Sequence, residues 1–315
     1  MRYNFDEVIN RAHTNCMKYD GRQMIFGTEN VLPMWVADMD FKTPDFVTRA
    51  VQKRAAHEIY GYPFKTDSYY EAIMDWMQKR HDWYIERNWL TFSPGVVSGL
   101  AMGVLATTSP GDKIIVQTPV YFPFFEVIQG LGRELVINEL VLQDGQYQID
   151  FDALEAQIDP KTTGIMLCSP HNPAGRVWTY EELSKLGELA VQNDLVLISD
   201  EIHADLTLNG NRHIPLAKIS EAVARRTITT MAPSKTFNMA GLAASVVIIP
   251  DADMRKRYNN YLQALHLGMG NIFGLQGLEA AYKNGHSWLD QMLSYIEANL
   301  EWMMGDFESK LPEVK

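Results

Sequence analysis

The residues with the clearest chemical potential in this sequence stand at the ends of apolar runs. Lys235 lies in Met231-Ala232-Pro233-Ser234-Lys235-Thr236-Phe237-Asn238-Met239-Ala240-Gly241-Leu242, directly after the β-branched run Thr227-Ile228-Thr229-Thr230-Met231. That run predicts a buried strand that delivers Ser234 and Lys235 to its carboxyl end, ahead of a glycine-containing loop. A partly desolvated lysine there has a lowered pKa and can attack an aldehyde as an amine. Taken alone, a loop lysine is ordinarily a solvated charge. Asp200 closes another apolar run, Leu195-Val196-Leu197-Ile198-Ser199. A buried carboxylate needs a partner, and a protonated ring nitrogen would serve; a helix cap or a salt bridge is the plainer alternative.

Three further segments could converge on the same place. Ser169-Pro170-His171-Asn172-Pro173-Ala174-Gly175-Arg176 follows a strand-like run, and Asn172 could donate to a ring oxygen, although Asn-Pro by itself marks only a turn. Ser93-Pro94-Gly95-Val96-Val97-Ser98 opens a helix whose free amides favour a phosphate, as every helix start does to some degree. Tyr121 lies just past a strand and could stack on an aromatic ring or simply pack in the core. An amine, a carboxylate, an amide, an aromatic face and a helix amino terminus together describe a pocket for pyridoxal phosphate.

The elements that must bring these groups together alternate along the chain. Helical patterns are predicted over 95–106, 123–130 and from Thr179, where Thr179 and Glu182 form a capping box. Strands are predicted over 113–117, 164–168, 195–199, 227–231 and 243–249, with an extended segment at 134–142. Alternation of this kind predicts an α/β fold with a mostly parallel sheet and crossover helices. Ligands bind outside the carboxyl ends of the strands in such sheets. Before this region, residues up to about Phe41 read as an extended arm, a helix starts near Pro44 and Asp45, 60–63 reads as a turn, and 69–80 as an amphipathic helix. Helices over 254–267, 273–283 and 286–308 complete the chain.

Composition sets the outer bounds. The 315 residues are 46% hydrophobic, enough for a sizeable core, and the formal net charge of -11 argues against nucleic acid or an anionic membrane surface as partner. Cys16 and Cys168 are far apart and follow no metal-ligand spacing, so two free, buried thiols in a reducing compartment are expected and no metal is. The amino terminus lacks an apolar signal core, and the longest apolar run is too short to span a bilayer. A cytoplasmic location is expected.

Asp200-Glu201-Ile202-His203, Asn172-Pro173 with Gly175-Arg176, and Ser234-Lys235 resemble the fold-type I pyridoxal-phosphate family, the class I/II aminotransferase fold. Trp35-Val36-Ala37-Asp38-Met39-Asp40-Phe41, Tyr60-Gly61-Tyr62 and Lys235-Thr236-Phe237-Asn238 resemble its MalY/PatB branch of cystathionine β-lyases and cystalysin-like carbon-sulfur lyases. The resemblance implies a three-layer αβα sandwich plus a smaller second domain: an arm at 1–45, a large cofactor domain at 46–283 and the start of the small domain at 284–315. It makes Lys235 the Schiff-base lysine and catalytic proton carrier, Asp200 the partner of the pyridine nitrogen, and Asn172 a donor to the phenolic oxygen, with His203 nearby in a catalytic role. A histidine at that position is otherwise as often structural.

By the same resemblance Tyr121 stacks on the ring and Val96, Val97 and Ser234 hold the phosphate. Ala37 and Asn172 meet the amino-acid substrate, and Tyr62 reaches in from the neighbouring subunit of a homodimer. Ala243 stands where most aminotransferases carry a phosphate-binding arginine. The implied reaction is β-elimination of L-cystathionine or cysteine S-conjugates to thiol, pyruvate and ammonia; amino-group transfer, or cofactor binding without turnover, are the alternatives. Relatives of the branch continue into a sheet that supplies an arginine for the substrate carboxylate, and no residue before Lys315 matches it. Either the chain is a fragment or truncated product, or another group must hold that carboxylate; the large domain is expected still to fold and to bind cofactor, with poor substrate turnover.

Overall fold

Apolar runs and the helices between them pair into a single sheet in the computed structural model, which describes residues 2–311 and 313. The strands are β1 (Leu90–Ser93), β2 (Lys113–Thr118), β3 (Glu134–Gln143), β4 (Gln146–Ile149), β5 (Thr162–Cys168), β6 (Val196–Asp200), β7 (Thr227–Met231) and β8 (Ser245–Ile248). Their spatial order is β1-β8-β7-β6-β5-β2-β3-β4. The central run β7-β6-β5-β2-β3 is parallel. Antiparallel strands flank it, β8 beside β7 and β4 beside β3, while β1 pairs antiparallel with β8.

The period of two along each strand divides the side chains between two helical layers. Ile115, Ile165, Leu167 and Leu197 pack with Leu183, Leu186 and Ala190 of the Tyr180–Gln192 helix on one face. Ile114, Val116, Met166 and Ile198 pack with Leu100 and Val104 of the Val96–Thr107 helix on the other. Burying each such side chain fully contributes roughly 1.5–3 kcal/mol. The result is a three-layer α/β sandwich, and Thr179 and Glu182 do form the capping box that starts the Tyr180–Gln192 helix.

Several boundaries differ from the sequence expectation. The amino-terminal stretch is not wholly extended: Met17–Asp20 and Arg22–Phe26 are short helices. Residues 60–63 form no hydrogen-bonded turn and lie in an irregular connection ahead of the Asp67–His81 helix, which Thr66 caps through its side chain. β1, β4 and the Phe151–Ala156 helix carry no clear periodic signal, because each spans at most six residues. Cys168 is buried as expected, but Cys16 is half-buried and its Sγ accepts a bond from Arg11 at 2.7 Å, so it is a polar contact and not an apolar filler. Met1, Pro312, Val314 and Lys315, and with them the expectation attached to the chain end, lie outside the described residues.

The first residues fold back onto the last helix, His286–Lys310. Phe5 meets Phe41, Trp288 and Tyr295 with ring centroids 5.1, 5.6 and 5.6 Å away. Among the described residues no helix is long and apolar enough to cross a membrane.

Candidate active site

β6 and β7 are parallel neighbours with Asp200 opposite Thr230, so the chain leaving β7 passes beside Asp200. Pro233 opens a one-turn helix, Pro233–Thr236, its fixed φ suiting a first turn, and Lys235 sits on that turn and not in an open loop. The Val96–Thr107 helix crosses the same strands. A Cβ on Gly99 would lie 3.2 Å from Thr230 Cγ2, so this helix runs close over the carboxyl end of β7. Its N-cap is Gly95, which offers no side-chain cap. The first amides, Val96 and Val97 among them, are therefore free of a side-chain acceptor, as a bound anion requires.

Asp200 is 4% exposed; one carboxylate oxygen accepts from the Ile202 N–H at 3.1 Å, and among the described residues it makes no ion pair. Burial, reinforced by the charge of Glu201, pushes it up to about 7, against the Ile202 amide and the charge of Lys235. Lys235 is half-buried, and burial lowers its ammonium while the charges of Asp38 and Asp200 raise it. Each of the pair thus sits in an environment that favours its neutral form. Nζ of Lys235 donates to the carbonyl of Ala37 at 2.8 Å.

The remaining sequence-chosen residues lie on the chain after β2, β5 and β6, on the Lys235 turn and at the start of the Val96–Thr107 helix, with Ala37 and Tyr62 on the amino-terminal segments. The Tyr121 N–H donates to the carbonyl of Asn172 at 3.1 Å, joining the chain after β2 to the chain after β5. Burial raises the Tyr121 hydroxyl, and the charge of Asp200 adds to that. His203 is held down to about 4 by burial and by the charge of Lys235. Ala37, Asn172 and His203 line one cleft of about 730 Å³. Ser234 is half-buried beside Lys235, Val96 is buried and Val97 is 37% exposed. Tyr62 is 91% exposed and does not line the cleft.

Sequence patterns missed how residues 35–41 are held over Lys235. Asn238 donates from Nδ2 to the carbonyls of Met39 and Phe41 at 2.9 and 2.7 Å, and its Oδ1 accepts the Met39 N–H at 3.1 Å. Arg11 forms a two-pronged pair with Asp38, at 3.0 and 2.8 Å, and a further bond to Asp40 at 2.7 Å. Lys18 lies 3.1 Å from Asp40. An asparagine three positions after the lysine and two aspartates in the Trp35–Phe41 motif were the available signal.

Against known proteins, residues 29–311 match the family model described as aminotransferase class I and II. The chain belongs to the aminotransferase class I and II family. Among curated members, cystathionine beta-lyase PatB of Bacillus subtilis is 45% identical over 99% of this chain and 81% of its own length. Cystalysin from Treponema denticola, whose crystal structure contains pyridoxal 5'-phosphate, is 37% identical with a TM-score of 0.95, covering 99% of this chain and 80% of that one. The pyridoxal-phosphate-bound C-S lyase from Staphylococcus hominis is 38% identical with a TM-score of 0.91, covering 99% and 78%. The groups this site offers a ligand are a buried carboxylate, a half-buried amine and a helix start without a side-chain cap.

Proposed function

We propose that this protein is a pyridoxal-phosphate-dependent carbon-sulfur β-lyase acting on L-cystathionine or related cysteine S-conjugates, releasing thiol, pyruvate and ammonia. The observation that carries the proposal is the buried, cation-free carboxylate of Asp200 beside the desolvated amine of Lys235, in a chain 45% identical to a cystathionine beta-lyase. The residues fit the cofactor: among the described residues Asp200 makes no ion pair, and the Val96–Thr107 helix has no side-chain cap.

When bound, pyridoxal phosphate supplies an aldehyde that takes up the substrate amine and a ring that accepts the electron pair left at Cα. Asp200 holds the proton on the ring nitrogen and is itself kept ionised by that partner. Lys235, whose ammonium burial lowers, exists more readily as the free amine and takes the Cα proton. Loss of the thiolate from Cβ then needs only a protonated donor, and Lys235 carries the proton it has just removed. Tyr121 would stack on the cofactor ring, Asn172 and neutral His203 would serve its phenolic oxygen, and Ala37 and Asn172 would meet the substrate. The amides of Val96 and Val97 and the Ser234 hydroxyl would hold the phosphate.

Tyr62, exposed within one chain, is proposed to complete the pocket of a neighbouring subunit in a homodimer. Residues 1–45 and 284–315 are proposed as parts of a smaller domain, which the rings of Phe5, Phe41 and Tyr295 tie together. A cytoplasmic setting fits the two free thiols.

Incubation of purified protein with cystathionine and no keto acid tests the proposal. Pyruvate and free thiol are expected. A requirement for keto acid would favour amino-group transfer, the second reading, which the family's aminotransferase members support.

A further inference from the structure

Behind the cleft, each of the two central residues has a sequence neighbour locked into a buried carboxylate cluster. Asp205 accepts from His81 Nε2 at 3.0 Å and Trp76 Nε1 at 3.1 Å through one oxygen, and from the Thr236 hydroxyl at 2.8 Å through the other. Thr236, wholly buried, directly follows Lys235. Glu201, directly after Asp200, accepts from the Ser199 hydroxyl at 2.8 Å and the Leu216 N–H at 3.0 Å and faces His213 Nε2 at 2.7 Å. The His81 and His213 rings meet edge to face with centroids 5.7 Å apart, so the two clusters touch.

A buried carboxylate is costly unless several donors surround it, and removing one donor from such a set is costly again. Asp205 meets that condition with three donors from two elements: the Asp67–His81 helix supplies two and the Lys235 turn the third. The one-turn helix Pro233–Thr236 is too short to hold its own orientation. The Phe237 N–H to Pro233 carbonyl bond at 2.9 Å is internal to the turn; the Met239 N–H to Ser234 carbonyl bond at 2.9 Å ties it to the following chain, the Lys235 Nζ to Ala37 carbonyl bond to the amino-terminal segment, and the Thr236 hydroxyl to Asp205 bond to the buried cluster behind it.

We propose that Asp205 is a positioning residue for Lys235: by holding the Thr236 hydroxyl, with His81 and Trp76 fixing its carboxylate, it keeps Nζ turned toward the cleft. The inference rests on the functional reading above and names a residue of that same site. Asp205 never touches substrate or cofactor and acts through the backbone of the Lys235 turn.

The test compares T236V, which keeps the side-chain volume and loses the hydroxyl, with T236S, which keeps the hydroxyl. Two quantities are read for each: the rate at which cofactor-stripped protein captures pyridoxal phosphate on Lys235, trapped with borohydride and located by peptide mapping, and kcat and KM for pyruvate release. T236V is expected to capture about tenfold more slowly and to lose about tenfold in kcat with little change in KM, the size of effect a sub-ångström misplacement produces. T236S is expected to match wild type in both. If T236V does not fold, W76F replaces it, removing one donor to Asp205, with a slowing of about threefold expected in capture. A wild-type capture rate in T236V or W76F, or T236S as slow as T236V, would overturn the inference while a competent wild type leaves the functional reading standing. A wild type that takes no cofactor overturns both.

Discussion

The Nζ of Lys235 donates a 2.8 Å hydrogen bond to the carbonyl of Ala37, a residue 198 positions earlier in the chain. The amine is thereby held at the cleft by a backbone acceptor that any incoming aldehyde must displace. The acceptor in turn belongs to residues 35–41, which Asn238, three positions after Lys235, clamps through Met39 and Phe41.

Replacement of the lysine itself gives the first. K235A is expected to lower pyruvate release from cystathionine by at least about 10³-fold, since both cofactor attachment and proton transfer at Cα are lost. A coupled pyruvate assay measures it, and borohydride mapping of the wild type is expected to find the phosphopyridoxyl group on Lys235 alone.

Asp200 ties stability to pH. Burial pushes its carboxyl up to about 7 from an ordinary value of 3.8 in the cofactor-free protein. Between those values the folded state keeps a proton that the unfolded chain releases, so this group's contribution to stability falls as pH rises from about 4 to about 7. The total is at most about 4 kcal/mol. Asparagine does not titrate, so D200N is expected to gain on the wild type across that window in urea unfolding and to converge with it near the lower end. A constant difference would contradict the assignment. Added pyridoxal phosphate is expected to reverse the order at neutral pH, because the charged carboxylate then has a partner.

Asp38 raises the Lys235 ammonium by its charge, while burial lowers it. D38N removes that charge, so the pH at which cofactor-stripped protein captures pyridoxal phosphate at half its maximal rate is expected to move down. An upward move would show that loosening of Arg11 and Lys18, which also pair with Asp38, outweighs the direct charge effect.

The Asn238 clamp predicts a loss of both stability and affinity. N238A deletes three hydrogen bonds to residues 39 and 41, for an expected cost of about 2–3 kcal/mol in urea unfolding. KM for cystathionine is expected to rise more than kcat falls, because the clamped segment carries Ala37. Faster proteolytic cleavage within 35–41 would accompany it.

Subunit mixing addresses Tyr62, which is exposed within one chain. If it serves a neighbour's pocket, inactive Y62A and K235A subunits refolded together form hybrids with one intact site. Recovery of about one quarter of wild-type activity is expected at equal mixing, since half the dimers are hybrids with one working site of two. No recovery would place Tyr62 in its own chain's site, and a fully active Y62A would place it outside the reaction.

Much of this molecule was legible in its residues. The runs that became β2, β5, β6 and β7 are buried at nearly every position because both faces of the sheet are covered, and their apolar and β-branched residues are a local pattern that reveals it. The polar residues closing two of those runs, Asp200 at β6 and Lys235 just past β7, stood out against the apolar background for the same reason. The Thr179 capping box was equally local, its two partners being three residues apart. Short strands such as β1 and β4, at four residues each, leave too few positions for a period to register.

The sequence by itself determined the α/β class, the strand ends that carry the reactive groups and the chemistry those groups suit, since each follows from residue type and near-neighbour spacing. Tertiary structure alone decided that β8 runs antiparallel beside β7, that residues 35–41 close over Lys235, and that Asp205 grips Thr236 alongside Trp76 and His81. Those contacts join residues 15 to 198 positions apart. No periodicity within one segment encodes such a contact, because which distant donors reach a buried carboxylate depends on how whole helices pack against the sheet.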